Sequence, residues 1–277
     1  MFGEKSALEY IGKYTFYCCD SLRSITLPEG LKTINEDAFN SSGLEEVTLS
    51  GTLKEVNYDA FKDCANLKTV YVGNGCEASL LDLGLSDSAM VVPLQNMLVE
   101  GVNVLDLRSL KQIVIPEGVE KIGNHWFWGA SIESVTVPAS VREIGAAAFC
   151  FCKQLKHVTF AEGSSLEKLG AHCFSNTGLE KIVIPKDVKV LQNRVFVNSK
   201  SLTEVVFEGN SSLKRVEKSV FYGCGNLRGI CFPEGLEYIG YGCFGYSGLE
   251  EIAIPSSVTE LGDSAFRYCK DLKKVTF

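Results

Sequence analysis

A phenylalanine that recurs about every 22 residues is the feature that most constrains how this chain can fold. Most copies follow an Ile-Gly or Leu-Gly pair, as in Ile144-Gly145 before Phe149, and four copies lack the glycine. Successive phenylalanines lie 22, 23 or 25 residues apart, except for one gap of 66 residues, three times 22. Such a period indicates a solenoid, because one repeat cannot bury its apolar residues alone and must stack on its neighbours. The repeat phenylalanines are Phe16, Phe39, Phe61, Phe127, Phe149, Phe174, Phe196, Phe221, Phe244 and Phe266.

A second motif begins five or six residues after the phenylalanine. It reads Leu-x-x-Val-x-Ile and is often closed by proline, as in residues 132–138. This alternation predicts a short strand whose Val and Ile side chains point inward. Because proline lacks an N–H and fixes φ, it ends a ladder strand and turns the chain. Six of the seven prolines close a clear repeat in this way.

The seventh proline, Pro93, indicates coils that the phenylalanine pattern hides. It lies 23 residues before the next proline, and Met90-Val91-Val92 before it has the pattern of a degenerate strand. Leu83 and Val104 fall near the missing phenylalanine positions. Residues 73–109 are therefore predicted to be eroded repeats and not a linker. Residues 1–277 are predicted to form a single domain of about twelve coils, each roughly 20–25 residues long.

The fullest copy of the repeat, Ile132–Leu155, joins the strand motif to Val-x-x-Ile-Gly-x-x-Ala-Phe and x-x-Cys-x-x-Leu. It resembles the BspA-like class of leucine-rich repeats, and the resemblance covers nearly the whole chain. The resemblance implies a β-dominated α/β fold, a right-handed leucine-rich-repeat solenoid. One parallel sheet of about twelve short strands would face short helical or 3-10 turns on the opposite side. It also implies a surface-exposed or secreted protein, associated in several members with adhesion, with no catalytic residues to carry over.

Eleven cysteines raise the question of disulfides or a metal. Cysteines at equivalent positions lie at least two coils apart. Two coils span roughly 10 Å at the strand spacing. A disulfide requires Cα atoms within about 7 Å, so we expect small buried side chains that fill turn positions. A zinc site would need four converging ligands, and neither Cys18-Cys19 nor Cys150-x-Cys152 has a matching second pair. Five cysteines share the position three residues after the repeat phenylalanine, which Ser199 takes in another coil: Cys19, Cys64, Cys152, Cys224 and Cys269.

Catalytic motifs are absent from the sequence. The adjacent His172-Cys173 pair is the nearest approach to a nucleophile and base, but neighbours at a turn usually point apart. There is no His-Glu-x-x-His motif and no glycine-rich phosphate loop. The sequence thus predicts a protein that is not an enzyme and has no cofactor. The Ile-Gly and Leu-Gly pairs are interpreted as turn positions where glycine permits a positive φ.

Side chains that point outward from the predicted strands are the main candidates for binding. Their central column is mostly β-branched and nearly uncharged, and the column before it mixes both signs of charge. The alternative to a binding role is that exposed strands favour such residues in any protein. Solenoids also bind ligands on their extended concave face, and mixed signs favour a protein surface over a polyanion site. The candidate ligand-binding residues are Tyr71, Trp128, Thr136, His157, Thr159 and Lys181.

Both tryptophans lie in the variant turn 124–128. Trp126 takes the usual alanine position and is predicted to be buried. Trp128 follows the repeat phenylalanine, where other coils have Asn40 or Lys62, so it is predicted to be exposed. An exposed tryptophan is a candidate hot spot for binding, and local packing is the alternative.

Composition narrows the partners. The net charge of −7 and the pI near 5.2 disfavour nucleic acid and anionic membranes. No stretch reaches the 18 or so apolar residues of a membrane span, and residues 1–5 lack the layout of a signal peptide. Both ends fall inside a repeat, which favours a fragment of a longer protein whose uncapped ends could pair end to end. The leading hypothesis is a cell-surface or secreted scaffold that binds a protein or glycan. The alternative is an intracellular structural or regulatory interaction module.

Overall fold

The computed structural model describes residues 6–57, 59–73, 76, 78, 90–93, 111–115 and 117–277. The chain divides into two compact units, Met1–Asn96 (unit 1) and Met97–Phe277 (unit 2). Both units consist of coils stacked through parallel strands, and the prediction that residues 1–277 form a single domain stays a prediction.

The predicted strands form a first parallel ladder in each unit. Alternate burial confirms the inward direction of their Val and Ile residues, as in Lys181–Ile184, where Ile182 and Ile184 are buried. The degenerate strand predicted at residues 90–92 is confirmed as Met90–Pro93, which pairs with Thr69–Val72. Leu83, Val104 and most of the segment 73–109 lie outside the described residues. The ladder of unit 1 consists of Ser24–Thr26, Glu46–Leu49, Thr69–Val72 and Met90–Pro93.

The ladder of unit 2 is interrupted, so the prediction of one unbroken sheet is wrong for this unit. The interruptions follow Phe160 and Phe207. These two coils close the strand with phenylalanine instead of Ile-Pro, and each has a longer turn, 161–166 or 208–213. The added residues allow the next strand to lie out of hydrogen-bonding reach. The three groups of strands are Gln112–Val114, Ser134–Val137 and His157–Phe160; Lys181–Ile184 and Glu204–Phe207; and Glu251–Ala253 and Lys274–Thr276.

A second parallel ladder consists of two-residue strands that the sequence analysis did not predict. In unit 1 its strands are Tyr10–Ile11, Thr33–Ile34 and Glu55–Val56. In unit 2 seven strands form one ladder: Lys121–Ile122, Glu143–Ile144, Lys168–Leu169, Val190–Leu191, Arg215–Val216, Tyr238–Ile239 and Glu260–Leu261.

The third side of each coil is the turn segment, the seven residues from two before to four after the repeat phenylalanine. The expected helical or 3-10 turns are wrong here, because the described residues contain no helix. In all ten turn segments φ is positive two residues before and two residues after the phenylalanine, as at His172 and Asn176 around Phe174. A left-handed residue breaks a right-handed helix. It also turns backbone groups towards the next coil: in eight segments the phenylalanine N–H donates to a carbonyl oxygen of that coil at 2.7–3.0 Å.

The repeat phenylalanines form a buried column in each unit. Consecutive rings stack with centroids 4.8–5.9 Å apart and planes within 14° of parallel. Each buried ring contributes on the order of 2–3 kcal/mol from burial alone. The column therefore accounts for the most regular feature of the sequence.

The Ile-Gly and Leu-Gly pairs have a different role from the one predicted. Gly145, Gly170 and Gly262 do not have positive φ. A methyl group on Gly170 would lie 2.5 Å from the backbone nitrogen of Ala146 in the preceding coil, and one on Gly262 would lie 2.5 Å from that of Tyr241. These glycines are needed because the backbones of adjacent coils approach too closely for a side chain.

Candidate binding surfaces

Ion pairs between successive coils line the start of the strands. Lys111 pairs with Glu133 at 3.0 Å, and Lys156 pairs with Glu180 at 3.4 Å. All four side chains are at least half exposed, so each pair contributes at most about 1 kcal/mol. This edge neutralises its own charges, which makes it a poor candidate for a charged ligand.

The central outward column next to it is exposed and uncharged in unit 2. Val114 is 73% exposed and Val183 is 37% exposed, although both are apolar. Thr136 and Thr159 are exposed register partners on adjacent strands. Contiguous β-branched side chains of this kind offer a surface that a protein ligand can cover without removing charges from water.

The candidate ligand-binding residues do not all come together. His157 is exposed and lies two residues before Thr159, on the same side of the strand. Lys181 is exposed but pairs with Glu204 at 2.8 Å. Tyr71 is partly buried and belongs to unit 1, opposite Thr48. The structure therefore groups His157 and Lys181 with the threonine pair in unit 2 and leaves Tyr71 in the other unit.

Trp128 is not exposed, so its prediction as an exposed hot spot is wrong. Its side chain is 4% exposed and lies with ring centroids 5.7 Å from His125 and 5.3 Å from Phe151 of the next coil. Other coils have small or polar residues at that place, but the bulky neighbours here enclose the indole. Trp126 is partly buried and packs against the core, and Nε1 of its indole has no hydrogen-bond partner. Both tryptophans therefore contribute to the packing of the protein interior.

The cysteine that follows the repeat phenylalanine by three residues has a structural role. Sγ of Cys224 donates to the carbonyl oxygen of Phe196 in the preceding coil at 3.2 Å, and Sγ of Cys64 donates to that of Phe39 at 3.1 Å. Ser199 makes the same bond to the carbonyl oxygen of Phe174 at 2.8 Å. The predicted burial is confirmed for three of the five cysteines, and those in the outermost described coils, Cys19 and Cys269, are partly exposed.

The thiols are unsuited to catalysis where they are buried. Burial raises the pKa of Cys224 to about 12 and also raises the pKa of Cys173. Burial lowers the pKa of His125 to about 4 and, with the charge of Arg194, that of His172 to about 3. Both imidazoles are therefore neutral near pH 7, and the thiol next to His172 stays protonated. None of the eleven cysteines forms a disulfide bond, and no group of three or more possible metal ligands occurs among the described residues.

A groove in the strand face of unit 2 was missed by sequence reasoning. It has a volume of about 610 Å3 and lies where the ladder is interrupted between Glu204–Phe207 and Glu251–Ala253. Gly229, Cys231 and Ala253 line it, and Cys231 keeps only an isolated bridge to Ala253. The signal in the sequence is Gly229, where neighbouring coils have Glu204 and Glu251. Small side chains in successive coils leave room there for a side chain of a ligand.

Solved structures of leucine-rich-repeat proteins are similar to this chain. A leucine-rich cell surface protein from Faecalibacterium prausnitzii is 22% identical, with 96% of this chain and 89% of that chain covered and a TM-score of 0.41. The Treponema pallidum leucine-rich-repeat protein is 25% identical over 60% of this chain and 69% of that chain, with a TM-score of 0.42. A protein from Eubacterium ventriosum is 16% identical over 98% and 79%, with a TM-score of 0.46. Since none of these TM-scores reaches 0.5, the similarities carry no weight for what this chain binds.

No curated protein matches the chain. Within the described residues, no helix has the length and apolarity needed to cross a membrane. The BspA-type leucine-rich-repeat region matches in six copies, over residues 4–79, 105–203 and 191–277. Those segments cover most of the 277 residues. The chain therefore belongs to the BspA-type leucine-rich-repeat family.

Proposed function

We propose that this chain is a non-catalytic recognition scaffold outside the cell, and that it binds a protein ligand through the strand face of unit 2. The observation that carries the proposal is the exposed, uncharged column that includes Thr136, Thr159 and Val183. The lysine and glutamate side chains beside it are already paired with each other. A glycan is the second ligand class that the family resemblance implies.

The groove at Cys231 adds a pocket, which the flat column of exposed side chains lacks. Binding energy concentrates where a large side chain of the partner enters a pocket and is surrounded by contacts that exclude water. A volume of about 610 Å3 is ample for one aromatic or aliphatic side chain. The groove lies beside Val206, which continues the central column. We therefore expect an anchor in the groove and flanking contacts along the column towards Thr159.

The test is a binding screen against immobilised extracellular-matrix and serum proteins and a glycan array. Any ligand is then measured with two variants, Thr136→Arg/Thr159→Arg and Ala253→Tyr. The first places charge on the column and the second fills the groove, and each should weaken binding at least about tenfold, near 1.4 kcal/mol. Thr259→Arg, an exposed threonine before the two-residue strand Glu260–Leu261, is the matched control.

Absence of any ligand at micromolar concentration would argue against the proposal. Equal loss of binding in the control and in the two variants would place the ligand elsewhere. The compartment is tested separately: disulfides found in the protein purified from its natural source would exclude the intracellular alternative, since such bonds persist in oxidising compartments.

A further inference from the structure

The turn segments of unit 2 have a charge that the whole protein does not share. The protein carries a net charge of −7, yet the seven turn segments from His125 to Lys270 contain no Asp or Glu. Since the histidines in these segments are neutral near pH 7, the exposed charge is positive. The five cationic residues are Lys153, Arg194, Lys200, Arg267 and Lys270.

Each of the last three turn segments carries a tyrosine, which is partly buried at Tyr222 and exposed at Tyr246 and Tyr268. The rings of Tyr222 and Tyr246 lie 5.3 Å apart, and those of Tyr246 and Tyr268 lie 4.7 Å apart. Tyr246 and Tyr268 are 44% and 53% exposed. The guanidinium of Arg267 lies 4.9 Å from the ring centre of Tyr268. Three coils thus present a row of aromatic rings, with a cation against the last ring.

A depression of about 500 Å3 lies at one end of this tyrosine row. Gly223 and Gly225 line it without side chains, and their N–H groups are already bonded to the carbonyl oxygens of Gly245 and Gly223. Polar groups surround it: a methyl group on Gly223 would lie 2.4 Å from Oδ1 of Asn198, which shows how closely that amide covers the floor. The other lining residues are Lys200, Tyr222, Asn226 and Tyr246.

The depression exists because one repeat position is empty. Four residues after the phenylalanine, the other unit 2 coils with a turn of the same length carry Lys153, Lys200 or Lys270, but this coil has Gly225. A methyl group on Gly225 would meet nothing within 4 Å, and its φ is not positive. The backbone therefore accepts a side chain at this position, and the glycine is not required by the fold.

From this combination we propose that the depression binds one sugar unit of an acidic glycan, carboxylated or sulfated. The ammonium group of Lys200 pairs with the acidic group. The rings of Tyr222 and Tyr246 pack against the apolar face of the sugar. The amides of Asn198 and Asn226 bond its hydroxyls, because an amide both donates and accepts. Lysine and arginine residues of the neighbouring segments continue the positive charge along the chain of the glycan.

An acidic peptide is less suited to this surface. It would use the cations, but its carboxylate side chains offer no apolar ring face to pack against Tyr222 and Tyr246. The rings also lie too close together to admit a flat base between them, since intercalation would require a spacing of about twice the 3.5–4.0 Å contact distance.

The experiment measures binding of the 277-residue chain to heparin, polygalacturonate, neutral dextran and poly-glutamate by titration calorimetry at low and moderate salt. Gly225→Gln fills the depression, and Gly225→Glu adds a negative charge to nearly the same shape. We expect binding to heparin or polygalacturonate that Gly225→Gln weakens about tenfold and Gly225→Glu more strongly, with weaker binding at higher salt. Lys200→Gln should weaken binding about fivefold, the scale of one exposed ion pair.

The matched control is Gly209→Gln. Gly209 also faces open space and has no positive φ, but it lies in the turn after Glu204–Phe207, away from the depression. Thermal unfolding of the variants should be unchanged; if a Gly225 variant unfolds early, Lys200→Gln replaces it as the deciding variant. The two acidic glycans separate sulfate from carboxylate recognition. Equal binding of dextran, tighter binding of poly-glutamate, no binding of either acidic glycan, or binding that Gly225→Gln and Lys200→Gln leave unchanged would each overturn the proposal.

Discussion

The turn segments of the two units have the same backbone conformation but carry opposite charges. In unit 1 they contain four aspartates, Asp20, Asp37, Asp59 and Asp63, against one lysine, Lys62, which pairs with Asp59 at 3.0 Å. In unit 2 they contain five cationic residues and no carboxylate. The stacked phenylalanines and the two positive φ angles per segment are the same in both. Packing and backbone direction thus constrain the inward positions, and the exposed positions are left to vary with what each surface meets.

The largest expected effect concerns what the units share. Phe174→Ala in unit 2 and Phe39→Ala in unit 1 each remove a fully buried ring between two stacked neighbours. Each should lower the free energy of unfolding by about 3–5 kcal/mol, measured by urea denaturation. Val183→Ala, on the exposed strand face, is the control and should change it little. A loss below 1 kcal/mol in only one unit would show that the two columns are not equivalent.

The next effect concerns a difference between the units, the buried histidines of unit 2. The pKa of His125 is about 4 in the folded protein, below the ordinary value of 6.5, so the unfolded chain binds its proton first as pH falls. Stability from this group is complete above pH 6.5 and is lost between pH 6.5 and about 4, with about 2 kcal/mol lost by pH 5. His125→Asn should remove this part of the pH dependence, because asparagine tolerates the φ of 60° at that residue.

Urea denaturation at pH 7.5 and pH 5 measures this effect in the native chain and in the variant. His157→Asn is the matched control, since His157 is exposed. An unchanged pH dependence in His125→Asn would mean that His125 takes up its proton in the folded state as readily as in the unfolded chain.

A smaller effect is expected from the hydrogen bond that the thiol of Cys224 donates to the preceding coil. Cys224→Val keeps the size of the side chain and leaves the carbonyl oxygen of Phe196 without this donor. The expected loss is about 0.5–1.5 kcal/mol, because that oxygen keeps its hydrogen bond from the Ser199 N–H. Cys224→Ser should be close to the native protein, because Ser199 makes the equivalent bond one coil earlier. If valine is tolerated as well as serine, burial alone explains the cysteine at this position.

The smallest expected effect leaves stability unchanged and concerns the reactivity of exposed and buried thiols. Cys18 in unit 1 and Cys231 in unit 2 are exposed, whereas Cys173, Cys224 and Cys243 are buried with raised pKa values. Ellman's reagent at pH 8 should modify the exposed pair rapidly and the buried three only on unfolding. Mass spectrometry assigns the modified residues. Rapid native labelling of Cys243 would contradict the burial of the column behind the turn segments.

Much of the fold could be predicted because its signals are local and repeated. The phenylalanine period and the strand motif predicted stacked coils with parallel strands, and Pro93 predicted the strand Met90–Pro93. The helical turns were wrong because the left-handed residues are not marked by a single residue type. Asp37, Asn176 and Gly223 tolerate positive φ, but Ala147 and Arg194 take the same conformation because bonds between coils hold them in place.

The candidate site was harder to predict than the fold. Thr136, Thr159, His157 and Lys181 are exposed on the strand face of unit 2 as the alternation indicated. Trp128 is buried because Phe151 of the next coil covers it, and that neighbour lies 23 residues away in the sequence. The groove at Cys231 arises where a coil lacks a full strand, and the depression at Gly225 where a coil lacks the lysine of other coils with the same turn length. The sequence marks the glycines, but the cavities beside them become visible only when the coils are compared in space.

The sequence by itself determined the coil period, the inward positions and the closing prolines, because burial and the missing proline N–H act on single residues wherever they stand. Tertiary structure decided the course of the turns, the division of the strand face and the pairing of thiols with phenylalanine carbonyls. Those features depend on how closely one coil lies to the next. The same closeness explains Gly170, whose hydrogen faces the backbone of Ala146 at a distance that no side chain could occupy.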